Sequence, residues 1–363
     1  MNHARRIVVT GPIPPPNGGM ALQTRQLMSE LMAEGWQATL VPSNAPYKWT
    51  WVANIPVLRA VFRLVTYVRH LRQVLKNAEL VHVMANSGWS WYLLPVPAIH
   101  IAHYYGVAVV VNYRGGLAES FLARAAKQVA YSLKRSDALV VPTEFLQKVF
   151  HQFGWLSDII PNILDERVFR PFEILNEKLV IVVTRNLEAL YDNESAIRAF
   201  AIIKNSIPEA ELVLCGEGPE KNRLQALTQE LAIDHSVQFA GRLNREQLLS
   251  TLKKARVVLN PSTADNSPNS LIEAMACGLP IVSTNAGGIP VLCRDQQEAL
   301  LVNVADVHAM ASAIMRVHAD GTLRETLIAN GLKRARVFYW SSVRQQLFAI
   351  YEKAIVHRSR RYA

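Results

Sequence analysis

The chain has 363 residues, of which 50% are hydrophobic and 19% charged. This length exceeds what one hydrophobic core usually serves, and the composition excludes a disordered or low-complexity chain, so two folded domains are expected. The net charge of +10 favours an anionic partner, such as a nucleic acid, an anionic membrane or a phosphorylated ligand.

The three cysteines, Cys215, Cys277 and Cys293, form no CxxC pair and no cluster with zinc-like spacing. They are expected to be small buried residues that stay reduced, as in a cytosolic protein. Residues 1–19 contain too short an apolar run for a signal peptide, and no window offers the roughly 18 apolar residues of a membrane span. We therefore expect a chain that is soluble or peripheral to a membrane.

In the first half of the chain, β-branched apolar runs alternate with helical patterns. The predicted strands cover residues 5–10, 38–42, 79–84, 107–113 and 137–142. Nearly continuous apolar runs are typical of buried parallel strands. Strands that alternate with helices indicate a doubly wound α/β domain.

The same rhythm restarts after residues 161–178, which are interpreted as a linker. The second set of predicted strands covers residues 178–185, 210–216, 236–241, 256–261 and 280–284. The pattern predicts an N-terminal domain over residues 1–165, a C-terminal domain over 166–339, and a helix over 340–363 that packs back on the first domain. Ligands of such sheets bind at the C-terminal ends of the strands, which predicts a site between the two domains.

The segment from Pro261 to Thr284 predicts a strand end, a polar loop, a helix of about ten residues and a further strand. Ser267 suits the N-cap of that helix and Pro268 its first position. Gly278 suits the residue that follows the helix.

The start of this helix is a candidate phosphate site, because the first amides of a helix lack partners and carry partial positive charge. The amides in question belong to Asn269, Ser270 and Leu271. Glu273, one turn further, is suited to accept hydrogen bonds from the vicinal hydroxyls of a ribose, and Asp265 to accept from sugar hydroxyls. The alternative is a plain strand–helix–strand unit with a solvated acidic loop.

The same segment resembles the signature of the retaining GT-B glycosyltransferases of "group 1", also called family 4. That signature is an acidic residue, seven others, Glu, and then Ala-Met-Ala-x-Gly-x-Pro-Val; here Asp265 and Glu273 hold the acidic positions. The resemblance implies an α/β fold of two facing Rossmann-like domains with an inter-domain cleft and a C-terminal crossover helix. It also implies that Glu273 grips the ribose, Asp265 faces the donor sugar and the intervening amides hold the diphosphate. The first acid is Asp here, where Glu is commoner in the family.

Further segments resemble the family in the same order along the chain. Gly18 and Gly19 resemble its first loop, near the donor phosphates, where a residue without a side chain lets backbone approach an anion. A simple turn before a helix is the alternative for these two. Asn162 lies in a segment similar to the end of the first domain, Gly216 in the loop after the second donor-domain strand, and Gly287 in the Gly-Gly turn near the donor sugar.

Two positions depart from the family's pattern. The family usually places Arg at the end of the first donor-domain strand and Lys a few residues later, both on the diphosphate. Arg185 fits the first, but Tyr191 or Asn193 stands where the Lys is expected. Arg114, in a turn that contains histidine in many relatives, is a candidate for the missing cation; a surface arginine is the alternative.

The resemblance implies transfer of a hexose-type sugar from a UDP- or GDP-sugar to a glycan or lipid-linked acceptor, with retention of configuration. Bacterial surface polysaccharide or glycolipid synthesis is the expected setting. Asp265, Glu273, Arg185 and Arg114 are the candidate catalytic residues. No DxD-like motif is present, so neither a metal nor another cofactor is expected. A non-catalytic homologue that binds nucleotide sugars is the alternative.

Residues 47–78 form the most basic part of the N-terminal half. From about Val57 they predict an amphipathic helix, preceded by Trp49 and Trp51, a pattern that suits an anionic membrane surface. An ordinary helix with solvated arginines is the alternative. Because the family often acts on lipid-linked acceptors, a cytoplasmic chain in peripheral contact with the inner membrane face is expected. Nucleic acid is not expected, since no binding signature is present and the charge is dispersed.

Overall fold

The computed structural model describes residues 5–15, 18–44, 56–173 and 177–362, and only the backbone of 56–60 and 362. The chain forms an N-terminal unit, Met1–Ile163 with Trp340–Ala363, and a C-terminal unit, Leu164–Tyr339. The predicted boundaries lay at 165/166 and 339/340. Trp49 and Trp51, which entered the membrane prediction, lie outside the described residues.

Within the described residues, each unit contains one parallel sheet of six strands. The N-terminal strands are β1 (Arg6–Gly11), β2 (Gln37–Pro42), β3 (Leu80–Ala85), β4 (Ala108–Tyr113), β5 (Ala138–Val141) and β6 (Asp158–Ile159). The C-terminal strands are β7 (Val180–Val183), β8 (Glu211–Leu214), β9 (Val237–Phe239), β10 (Val257–Asn260), β11 (Ile281–Thr284) and β12 (Leu300–Val302). All ten predicted strands are confirmed. The sequence prediction missed β6, of two residues, and β12, of three.

Helices cover both faces of each sheet, so the sheets are buried as their apolar sequences predict. The helices in chain order are α1 (Gly19–Ala33), α2 (Pro56–Leu75), α3 (Trp89–Leu93), α4 (Pro95–Tyr104), α5 (Ala118–Leu133), α6 (Glu144–Gln152), α7 (Asn193–Ser206), α8 (Lys221–Glu230), α9 (Arg245–Leu252), α10 (Asn269–Ala276), α11 (Ile289–Leu292), α12 (Val307–Ala319), α13 (Gly321–Ala335) and α14 (Trp340–Tyr362). Among them, none is both long and apolar enough to cross a membrane.

Helix α14 is part of the N-terminal unit. Its buried residues recur at helical spacing, which gives it one apolar stripe: Trp340, Val343, Leu347, Tyr351 and Ala354. This stripe packs with α1 against the sheet. The structure thus confirms the prediction that the helix over residues 340–363 packs back on the first domain.

Helix α2 confirms the helix predicted from about Val57. Its inward face buries Tyr67, Leu71 and Leu75 against the N-terminal core. On the outer side, Val61 and Val65 are 54% and 50% exposed. The helix is therefore a packed core element that also presents apolar side chains to solvent.

The C-terminal sheet has the strand order β12-β11-β10-β7-β8-β9. Chain direction along the sheet reverses between β7 and β10, which are neighbours with Ile181 opposite Val257. The connections that leave these two strands run to opposite sides, and in such sheets a crevice forms beyond the carboxyl ends of the strands at this point. The C-terminal unit therefore has the strand order and the switch point of a dinucleotide-binding sheet.

Helix α10 begins one residue later than the sequence predicted. Pro268, rather than Ser267, is the N-cap residue, and its own side chain forms no capping hydrogen bond. Pro268 has extended backbone angles (φ −65°, ψ 119°), so the proline lies before the helix instead of in its first turn. The predicted end is confirmed: Gly278 has φ +74°, and its amide and that of Leu279 bond the carbonyls of Met275 and Ala274.

The predicted linker is packed into the C-terminal unit at its start. Leu164 and Phe169 are both 5% exposed and belong to that unit's core. The Leu164 amide donates to the carbonyl of Phe338 at 2.8 Å. Interpretation of residues 161–178 as a connecting linker was therefore wrong for this part, because apolar residues within the charged stretch are buried.

Candidate active site

Arg185 and Asp265 meet at the switch point of the C-terminal sheet. Arg185 follows β7 and Asp265 lies in the loop that follows β10. Their side chains are 12% and 15% exposed and form an ion pair through Nη2 and Oδ2. Arg185 Nη1 also donates to Ser270 Oγ at 3.3 Å. Three residues predicted separately thus form one cluster.

Tyr191 completes this cluster. Its ring lies in a short 3-10 turn, and the Arg185 guanidinium carbon is 4.0 Å from the ring centroid. Asn193 is instead 2% exposed at the start of α7 and donates from Nδ2 to the carbonyl of Asn186 at 2.9 Å. Of the two residues that stand where a lysine was expected, the aromatic one therefore faces Arg185.

The loop after β8 supports the backbone of Arg185. A β-carbon at Gly216 would overlap the Arg185 carbonyl oxygen, and one at Gly218 would overlap that of Leu187. The Leu187 amide donates to the carbonyl of Glu217 at 3.1 Å. Gly216, predicted as a substrate residue, has a packing reason to be glycine, and so has Gly218, which the sequence prediction omitted.

The loop after β11 supports the backbone of Asp265 in the same way. The Gly288 amide donates to the Asp265 carbonyl at 2.9 Å. Gly287 has φ +55°, and a β-carbon there would overlap that same carbonyl oxygen. Gly287, predicted near the donor sugar, thus fixes the backbone of the acid predicted to contact the sugar.

The N-terminus of α10 opens beside Arg185, because Ser270 is the second residue of the helix. The Leu271 amide, a predicted phosphate donor, is engaged: it donates to the Pro268 carbonyl at 3.2 Å, closing a tight first turn. In the part of the chain that the structure describes, the Ser270 amide has no backbone acceptor. The prediction for Leu271 needs this correction; Asn269 and Ser270 are the first two residues of α10.

Glu273 lies one turn along α10. Burial raises its pKa to about 7, an effect that the nearby charges of Arg245 and Arg185 oppose. Arg245, at the start of α9, also donates to Asp165 Oδ2 at 3.2 Å. The sequence prediction missed Arg245, because its approach to Glu273 arises only in the folded unit. A carboxyl group that titrates near neutrality is a signal of functional sites.

Arg114 and Asn162 lie together in the N-terminal unit. Arg114 follows β4, and its Nη1 donates to Asn162 Oδ1. Burial lowers the pKa of the Arg114 guanidinium to about 10, and the residue is half-buried rather than fully exposed. Its Nε is buried and has no hydrogen-bond partner among the residues described. This arginine therefore keeps one donor for a further group.

Gly18 and Gly19 form the start of α1. Gly18 is the N-cap residue, and the Leu22 amide donates to its carbonyl at 3.0 Å. A β-carbon at Gly18 would meet no described atom within 4 Å. Packing therefore does not demand glycine at this position.

Cys277 and Cys293 are fully buried, as predicted, and Cys215 is half-buried. Burial raises the pKa of all three thiols to about 12, which makes them poor nucleophiles. Within the described ranges, no group of three or more His, Cys, Asp or Glu side chains is arranged to hold a metal ion.

Two solved structures share the fold over nearly the whole chain. HepE from Anabaena, solved with UDP and glucose, is 17% identical with a TM-score of 0.73, over 95% of this chain and 98% of that one. A sucrose-phosphate synthase from Thermosynechococcus elongatus is 21% identical with a TM-score of 0.76, over 97% and 100%. The chain accordingly has the two-domain α/β fold of GT-B proteins.

A curated relative, the D-inositol 3-phosphate glycosyltransferase of Acidothermus cellulolyticus, is 27% identical over 289 residues. The alignment spans 72% of this chain and 63% of that protein. Several other curated glycosyltransferases are matched over less than half of their length. The model of "Glycosyltransferase Family 4" matches residues 17–167, and that of "Glycosyl transferases group 1" matches 165–334. Because the two models together span most of the sequence, the chain belongs to the group 1 glycosyltransferase family.

Proposed function

We propose that this chain is a glycosyltransferase that moves a hexose-type sugar from a nucleotide-diphosphate sugar to a glycan or lipid-linked acceptor. The observation that carries the proposal is the cluster of Arg185, Asp265 and the α10 N-terminus at the switch point of the C-terminal sheet. Open α/β sheets bind nucleotides at that position. Family membership supports the same conclusion.

In this proposal the donor diphosphate binds at the start of α10. The amides of Asn269 and Ser270 and the Arg185 guanidinium supply positive charge there. Glu273, one turn further, accepts hydrogen bonds from the ribose hydroxyls. In the part of the chain that the structure describes, its carboxylate makes no hydrogen bond, which leaves its oxygens available for this task.

Asp265 is proposed to hold the donor sugar. The transfer that we propose is a front-face displacement with retention: the acceptor oxygen bonds to the anomeric carbon on the side where the bond to phosphate breaks, and the departing phosphate takes the acceptor's proton. Negative charge grows on the diphosphate during this step. The proposal assigns its stabilisation to Arg185 and α10 rather than to a metal ion.

UDP-sugars are the proposed donors, with GDP-sugars next. The structure of HepE was solved with UDP and glucose, and its fold matches this chain over nearly its full length. Arg114 and Asn162 in the N-terminal unit are proposed to contact a phosphate of the substrate, since Arg114 Nε is buried without a partner among the described residues.

Peripheral contact with the inner membrane face through α2 is also proposed, in the synthesis of bacterial surface polysaccharide or glycolipid. Val61 and Val65 are half exposed on this helix, which also carries Arg63, Arg69 and Arg72. Exposed apolar side chains beside arginines favour anionic lipid. Flotation with vesicles that contain anionic lipid tests this contact; a chain that stays with the protein fraction at low salt contradicts it.

A thermal-shift panel of UDP, GDP, ADP and TDP, with the matching sugars, tests donor binding. Occupancy of the native state raises the Tm in proportion to saturation. Glu273→Ala is expected to lose the shift and the turnover of nucleotide sugar while keeping the unliganded fold. Glu230→Ala, at the exposed end of α8, is the matched control.

Slow hydrolysis of the donor without acceptor separates an enzyme from a homologue that only binds. A wild-type chain that binds UDP-sugar but releases no UDP over hours, with or without acceptor, contradicts catalysis and supports the binding protein. Unchanged turnover in Glu273→Ala contradicts the assigned site.

A further inference from the structure

The guanidinium of Arg185 is held on one face by the ring of Tyr191. Its central carbon is 4.0 Å from the ring centroid, close enough for stacking and a cation–π attraction. The turn that carries Tyr191 is itself anchored. The Leu190 carbonyl accepts from the amide of Thr263 at 2.9 Å and from its hydroxyl at 3.0 Å. Thr263 lies in the same loop as Asp265, so the turn and that loop are held together.

The edges of the guanidinium have further contacts. Nη2 is paired with Asp265, and Nη1 donates to Ser270 Oγ at 3.3 Å. Nε is buried and has no hydrogen-bond partner among the residues described. A ring on one face and two polar partners on the edge fix both the tilt and the rotation of this planar group.

We propose that Tyr191 is a positioning residue: its ring fixes the Arg185 guanidinium beside the start of α10, so that this cation is already in place when the diphosphate binds. This inference rests on the proposed function. The turn over residues 186–192 contains no lysine, and Tyr191 occupies the position where one is expected. Preorganisation then strengthens diphosphate binding, because an arginine already held in place loses less freedom when the ligand binds.

The ring, rather than the hydroxyl, is the functional part in this proposal. Burial raises the pKa of Tyr191, so the phenol stays neutral and offers no charge to a phosphate. The face of the ring is what attracts a guanidinium. Phenylalanine is thus the conservative replacement and leucine the disruptive one.

The test measures kcat and KM for turnover of UDP-sugar in the wild type, Tyr191→Phe and Tyr191→Leu. Tyr191→Phe is expected to retain most of kcat/KM. Tyr191→Leu is expected to lower kcat/KM on the order of tenfold, the effect of losing one partly desolvated cation–π contact. Tyr191→Met, which has a longer and unbranched side chain, serves if the leucine variant unfolds.

A double-mutant cycle with Arg185→Met distinguishes positioning from a purely structural role. If Tyr191 acts through Arg185, Tyr191→Leu has no further effect on kcat/KM once the guanidinium is gone. Tyr131→Leu is the matched control, because Arg135, two residues after α5, stacks on Tyr131 of that helix at the same 4.0 Å. Turnover is expected to be unchanged in that variant.

Two results overturn the inference while leaving the proposed function intact. One is an active wild type whose Tyr191→Leu variant is equally active. The other is a Tyr191→Phe variant whose kcat/KM falls as far as that of Tyr191→Leu, which would mean that the hydroxyl contacts the sugar donor directly. A wild type that neither binds nor consumes any nucleotide sugar overturns the proposed function itself. Ring-current-shifted side-chain NMR signals of Arg185 that disappear in Tyr191→Leu report the stack without any donor.

Discussion

The carboxylate of Asp265 is paired with the guanidinium of Arg185. The acid proposed to hold the sugar and the cation proposed to hold the diphosphate are thus bonded to each other. A bound diphosphate competes with Asp265 for Arg185, and any weakening of the pair frees the carboxylate for sugar hydroxyls. Arrival of the donor and readiness of the acid are therefore coupled through one ion pair.

Asp265→Asn removes the charge but keeps the size of this side chain. We expect kcat to fall about 10- to 100-fold, the loss of one hydrogen bond to a charged group. UDP affinity is expected to stay equal or to rise, because Arg185 no longer has a competing carboxylate. Steady-state kinetics and calorimetric titration with UDP measure the two effects. Weaker UDP binding at unchanged kcat contradicts the coupling, and Asp234→Asn, in a turn before β9, is the control.

The buried carboxyl of Glu273 predicts a pH dependence of donor binding. Its pKa is raised to about 7, whereas a ribose is held best by the ionised form. UDP-sugar affinity should thus rise from pH 6 to pH 8, by up to about tenfold per pH unit below the pKa. Titration of the wild type and Glu273→Gln with UDP-sugar checks this, since the amide variant should bind weakly at every pH.

The same group predicts an opposite trend for the stability of the unliganded protein. A folded-state pKa near 7, above the unfolded value of 4.5, means that the native state binds more protons in between. Stability is then lost as the pH rises from 4.5 through 7. Glu273→Gln should accordingly raise the Tm at pH 8 relative to wild type. A lower Tm at pH 8, with Glu230→Gln unchanged, contradicts this account.

The close approach of Gly216 to the backbone of Arg185 predicts that a side chain at position 216 would displace Arg185. Gly216→Ala places a β-carbon against the Arg185 carbonyl oxygen, so the backbone must shift. We expect a destabilisation of about 1–3 kcal/mol, measured by unfolding, and a loss of donor affinity, measured by titration with UDP. Gly321→Ala is the control, because its β-carbon meets only the flexible end of Arg324 at 3.5 Å. Equal effects of the two variants contradict the role of Gly216.

Apolar runs predicted ten of the twelve described strands, because a strand covered on both faces of its sheet is apolar on both sides regardless of its neighbours. The site was predictable only where backbone chemistry dictates it, as with Gly278 at the end of α10. The contacts of Arg185 could not be predicted in this way. Its stacking on Tyr191 rather than on Asn193 depends on the position of the turn that carries Tyr191, and that turn is anchored by Thr263 from the loop after β10. Resemblance to a family suggested the residues, while the fold decided which of them touch.

The contact between Tyr351 and His82 predicts how α14 is attached. Tyr351 lies 2.8 Å from His82 Nδ1, and Asn112 Nδ2 lies 3.0 Å from His82 Nε2. Burial lowers the pKa of His82 to about 3, so the ring is neutral, and a bond donated by Asn112 leaves Nδ1 as the donor to Tyr351.

Tyr351→Phe therefore strands a buried N–H and should destabilise the N-terminal unit by about 1–3 kcal/mol. Urea unfolding measures this cost, and Tyr131→Phe, whose tyrosine is 59% exposed, is expected to be near neutral. His82→Leu in the Tyr351→Phe background removes the stranded donor along with its partner. That double variant should recover part of the loss, whereas additive losses would show that ring packing rather than the hydrogen bond holds α14 in place.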